Sequence, residues 1–164
     1  MDNYMPEPIK PKISSPSVSS NQLSISQNNI SDTHNIVDEI IKTIGGLPEG
    51  LKTYPIRHLV NHAKKFGPFL KQQRLETNQV RKFLDAVNRL KAELAEKGDF
   101  SEIETDVVLL QPKLAYAAAR QKAAKPLSDV MSIAIDKVHS KEDFERLVQF
   151  LESIIAYHKA EGGK

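Results

Sequence analysis

His58 and His62 sit one helical turn apart, the spacing at which two imidazoles share a helix face and can chelate a metal. The residues between them lack the glutamate of a zinc-protease motif, and no third ligand is suggested nearby. Two partly exposed helix histidines are therefore expected, and no metal. Glu102, Glu104 and Asp106 form a second cluster, but acids gather in the first turn of a helix because the backbone dipole favours them there. His158 falls on the apolar arc of its helix, where a core histidine satisfied by its neighbours is expected. Cysteine is absent, which excludes disulfides, iron–sulfur clusters, thiolate zinc and a cysteine nucleophile. No glycine-rich phosphate loop, nucleophile elbow or Ser/His/Asp arrangement can be placed. The sequence predicts a protein that is not an enzyme, with no catalytic residue and no cofactor.

The chemistry that remains is ionic. The formal charge of +2 hides a strong segregation. Residues 51–91 carry ten basic side chains against two acids, a local +8, while residues 92–110 run to −5. Residues 111–125 are +4 with no acid, and residues 126–164 are −2. At about 100° per residue, Lys82 and Arg89 point the same way, opposite the apolar stripe of Phe83, Leu84 and Val87, with Arg81 on the flank. Arg57 and Lys64 share an azimuth outside the apolar arc of their helix, beside Lys65. Lys113, Tyr116 and Arg120 fall on one stripe next to small alanines that let a ligand backbone come close. So many cations with few acids nearby repel one another and attract a polyanion. Lys and Arg also populate ordinary solvated helix faces, so this pattern alone leaves both readings open. Duplex DNA is disfavoured, since no helix-turn-helix, zinc or basic-zipper signature appears. The scarcity of aromatics argues against an RNA reader built on aromatic platforms.

Helices must position these groups. Of 164 residues, 40% are hydrophobic and 27% charged, as in an ordinary globular protein. No apolar run approaches the ~20 residues of a membrane span. The segment Met1-Asp2-Asn3-Tyr4-Met5-Pro6 has neither a basic nor an apolar leader region, which predicts a cytoplasmic protein. Residues 1–30, rich in Ser, Pro, Asn and Gln, read as a disordered tail that buries too little to offset its ordering entropy. Residues 31–164 read as an all-α domain, a single compact bundle of about five to six helices.

The first helix carries Ile36, Ile40 and Ile44 and stops at Gly45-Gly46. A second runs from Pro55 and is expected to kink or break at Gly67-Pro68. Thr77 is the expected N-cap of the third, which closes at Lys97-Gly98-Asp99. Ser101-Glu102-Ile103-Glu104 reads as a capping box for a fourth, interrupted at Pro112. Pro126 opens a fifth, and Ser140 caps the last. That last helix has an unusually wide apolar arc, in which Phe150 and Tyr157 form a second line. It is either central in the bundle or docks a partner protein through Phe150 and Tyr157.

Three stretches resemble a known family. Leu110-Gln111-Pro112-Lys113-Leu114-Ala115-Tyr116-Ala117-Ala118-Ala119-Arg120 is similar to the "PKLAYAAGR" signature of the CRISPR-associated small subunit of type III-A (Csm) effector complexes. Phe144 to Lys159, followed by Gly162-Gly163, resembles that family's terminal "FERFVxFFEAIVAYHK…GG". Leu75-Glu76-Thr77-Asn78-Gln79-Val80-Arg81-Lys82-Phe83 resembles its "LTTSQIRKF". Ala119 stands where glycine is usual and Asn78 where serine is common. The resemblance implies a helical, non-catalytic subunit that stacks with neighbouring copies of itself as a minor filament. Its partners would be the guide RNA, single-stranded target RNA and other subunits of the complex. Carried over by position, RNA contacts fall on Arg81 and Lys82, then Lys113 and Arg120. Arg57, Lys64, Lys65 and Arg89 rest on charge and azimuth alone. Tyr116 is expected in the core rather than stacked on a base. The competing expectation is a helical protein-interaction scaffold that ignores RNA.

Overall fold

Periodicity of three to four in the apolar residues becomes helix throughout the computed structural model, which describes residues 36–162. The expected tail, residues 1–30, lies outside the described residues. Seven α-helical segments follow one another: α1 (36–45), α2 (Ile56–Gln72), α3 (Thr77–Lys97), α4 (Glu104–Val108), α5 (Leu110–Arg120), α6 (Lys125–Asp136) and α7 (Lys141–Ala160). With α4 and α5 taken as one interrupted helix the bundle has six, and no strand occurs among the described residues.

The wide apolar arc of α7 is resolved in favour of a central position. Phe144, Leu147, Phe150, Leu151 and Ile154 are fully buried, and α7 packs against α2, α3 and the 3-10 turn Leu51–Thr53. This corrects the expectation of a docking line on Phe150. Its ring is inside the core, 5.5 Å from the ring of Tyr54, and Tyr157 is a half-buried residue packed against the same core.

Gly67 and Pro68 do not break α2, which runs on to Gln72. At Gly67 the α2 and α7 backbones lie close together: an added Cβ would lie 2.7 Å from the His158 backbone nitrogen and 2.8 Å from the Ile154 carbonyl oxygen. Packing of two backbones, not helix termination, selects the glycine. Pro68 costs one helical bond, yet α2 continues past it to Gln72, packed along α7.

Other local expectations shift by a few residues. Thr77 is the first helical residue of α3 rather than its cap. Glu76 takes that place, with Gln79 Oε1 accepting from the Glu76 N–H at 3.2 Å. The capping box expected at Ser101 does not form. Asp99 Oδ1 instead accepts from the Ser101 N–H at 3.0 Å and starts a 3-10 turn, Phe100–Glu102. The interruption expected at Pro112 falls at Leu109, so that Pro112 sits in the first turn of α5, where its missing N–H has no helical partner to lose. Ser140 does cap α7, its Oγ accepting from the Asp143 N–H at 3.1 Å. The buried Asp143 carboxylate accepts in turn from the N–H groups of Lys52 and His139, tying the 3-10 turn to the start of α7. Gly50 lies against it, and at φ 146° a side chain there would strike both carboxylate oxygens.

Candidate nucleic-acid interface

The Lys113, Tyr116, Arg120 stripe belongs to α5, an 11-residue helix that packs on α6 by Leu110 and Leu114. Val80, Phe83, Val87, Leu90 and Leu94 commit the opposite side of α3 to the core. Between α3 and α5 the surface opens into a groove of about 650 Å³. Its floor is apolar, with Leu75, Phe83, Leu110 and Leu114, and its rim holds Lys82, Lys113, Tyr116 and Arg120. Three of the four cations that the sequence motifs single out thus meet at one groove, from two helices far apart in the chain.

The others stand apart from it. Arg81 is exposed on α3 but does not line the groove, and Arg89 is exposed two turns further along the same helix. Arg57, Lys64 and Lys65 are exposed on α2 and line no part of it. Among the described residues, none of these eight cations lies within ion-pair distance of an acid. The lysine–acid pairs formed there are Lys91–Glu152 at 4.0 Å, Lys97–Glu93 at 2.7 Å and Lys125–Asp129 at 3.2 Å. Unpaired and solvated, the groove cations keep their full field toward an anion.

Tyr116 corrects the sequence reading. It is 65% exposed, the most exposed large hydrophobic side chain among the described residues. The Arg120 guanidinium carbon lies 5.7 Å from its ring centroid, within cation–π range. The i, i+3, i+7 stripe carried the signal, since a residue between two exposed cations on a helix cannot also face the core.

The histidine pair has another role. His58 is exposed, whereas His62 is buried, not partly exposed as expected. Their rings are 5.5 Å apart. The buried Tyr54 hydroxyl donates to His62 Nδ1 at 2.5 Å, and Glu39 Oε1 on α1 lies 3.5 Å from Nε2. Burial pushes the Tyr54 phenol well above its usual range, with the nearby Glu39 charge adding to the effect; with the ring proton on Nε2, which faces Glu39, Nδ1 is left as the acceptor. Burial also lowers the His62 pKa, against the opposing pull of Glu39. His158 is a core histidine: Nε2 donates to the Leu75 carbonyl at 2.7 Å, and Nδ1 faces Thr77 Oγ1 at 3.4 Å.

Residues 53–164 match the family described as Csm2 Type III-A. The matched stretch covers most of the chain and contains both walls of the groove. The chain belongs to the Csm2 type III-A family. It is 33% identical over 92 residues to "CRISPR system Cms protein Csm2" of Streptococcus thermophilus, a stretch that covers 55% of this chain and 75% of that protein. No solved structure matches at a significant level. Family membership makes the chain a small subunit of a type III-A CRISPR complex, with other subunits of that complex as partners. No helix among the described residues is long and apolar enough to cross a membrane.

Proposed function

We propose that this chain is a non-catalytic subunit that holds the guide and target RNA backbone, without reading sequence, along the groove between α3 and α5. Neighbouring copies stack beside one another in the assembled complex, which works in the cytoplasm. One observation carries the reading: Lys82, Lys113 and Arg120 converge on a single groove rim with no acid among its lining residues. Fixed cations of this kind bind phosphates by releasing condensed counterions, which gives affinity but no base preference. Arg81 and Arg89 extend the cationic face along α3, and Arg57, Lys64 and Lys65 add a second face on α2. The scaffold alternative has lost half of its surface, because Phe150 is buried.

Replacing Lys82 and Arg120 together by Ala tests the reading on the assembled complex, where several copies add avidity. Binding of oligouridine and of mixed-sequence RNA should weaken alike. The slope of log affinity against log salt should flatten by roughly one to one and a half, since each phosphate contact to a single strand contributes about 0.7. An unchanged slope in a folded double variant would move the RNA elsewhere. Complexes that never retain RNA, variant or not, would leave the scaffold reading in its place.

A further inference from the structure

The phosphate reading leaves Tyr116 without a task. An aromatic ring held two-thirds in water is an unusual use of a large side chain, and it stands at the edge of a groove rather than on an open helix face. The Arg120 guanidinium is already placed against the ring, while the exposed remainder of the π surface is open. Beneath lie Phe83, Leu110 and Leu114, an apolar floor that a phosphodiester chain alone does not fill. The groove volume of about 650 Å³ lies within the range of small-ligand sites and far exceeds what a phosphate needs. At one end Gln79 donates to Gln121 Oε1, and both residues line the groove.

We infer that the groove between α3 and α5 takes an unstacked nucleobase of single-stranded RNA, stacked on Tyr116 and Arg120, while Lys82 and Lys113 hold the adjoining phosphates. This rests on the RNA-binding reading above and adds a base subsite to it. A base offers two flat apolar faces with an anion on either side, which is what a ring, an apolar floor and a cationic rim complement together. A peptide would suit the floor but not the rim, where three cations meet no acid. Stacking tolerates every base because each has a π face, and one amide group at the groove end cannot tell four bases apart. The site therefore adds affinity and strand register without a sequence code.

The test uses the assembled complex with two single-stranded probes of equal length and charge, oligouridine and the same backbone made abasic. Wild-type complex should bind oligouridine more tightly by about five- to a hundredfold, the range of one stacked base. Tyr116→Ala should bring oligouridine down to the abasic level while leaving abasic binding and the salt slope untouched, and Tyr116→Phe should restore the difference. Equal binding of both probes by wild type, or equal weakening of both in Tyr116→Ala, overturns the base subsite and leaves the phosphate reading intact. Failure of wild type to bind either probe brings down the RNA reading itself. Retained oligouridine affinity in Tyr116→Ala, with loss of a co-purifying subunit, would make the groove a protein-docking site instead.

Discussion

Two opposing influences of unequal size act on the imidazole of His62. Burial disfavours the charged ring, and the Glu39 carboxylate at 3.5 Å only partly offsets this, so the pKa in the folded protein lies below that of an ordinary imidazole. The unfolded chain then binds more protons than the folded one below about pH 6.5, and stability falls as pH falls through that window. Thermal melts should show Tm dropping on acidification, with a smaller drop in His62→Gln, whose amide does not titrate. Equal pH dependence in the two proteins would show that His62 does not carry the effect. Neither the burial of His62 nor the exposure of Tyr116 follows from residue type alone. The i, i+4 spacing gives a shared face, but Leu59, Ala63 and Phe66 turn His62 toward the core and leave His58 on its edge. For Tyr116, the exposed stripe outweighed the usual preference of aromatics for the interior.

Helices were legible because apolar residues recur at the helical period, and Ile40, Leu59, Val80, Val87, Val130 and Leu151 are all buried where that period puts them. Boundaries and breakers were less so, because a glycine or proline signals a turn only when no neighbour needs the space. Gly67 is the clearest case. Gly67→Ala would be favourable by helix propensity alone, yet its Cβ meets α7 backbone at under 3 Å, and backbone yields only by moving a helix. We expect denaturant unfolding to show a loss of about 1–3 kcal/mol; a gain would mean that α2 and α7 are further apart than described. Arg74 is the opposite case. It joins α2 to α3 at φ 66°, a left-handed conformation that costs a side-chain-bearing residue. Arg74→Gly relieves that strain, offset partly by unfolded-state entropy, and should stabilise by several tenths to about 1 kcal/mol in the same assay. A destabilised variant would show that the Arg74 side chain contributes more than its strained backbone costs.

Among the described residues, the singled-out cations include two groups of different kinds. The groove cations Lys82, Lys113 and Arg120 sit beside an apolar floor. Arg57, Lys64 and Lys65 stand exposed on α2 away from it. Sequence segregation showed that residues 51–91 are basic, but only the fold divides these cations between a groove rim and an open helix face; on the RNA reading proposed above, the rim grips and the open face attracts at a distance. The field of an exposed, unpaired cluster raises encounter rates and decays within a Debye length of about 8 Å at physiological salt, whereas close contacts set the lifetime of a complex. Replacing Arg57, Lys64 and Lys65 by Ala should thus slow association of RNA with the assembled complex at low salt, with little effect at high salt and an unchanged dissociation rate. Replacing Lys82 and Arg120 should chiefly speed dissociation. Stopped-flow mixing across a salt series separates the two, and if the α2 variant dissociates as fast as the groove variant, the α2 face touches RNA directly and the binding surface spans both helices.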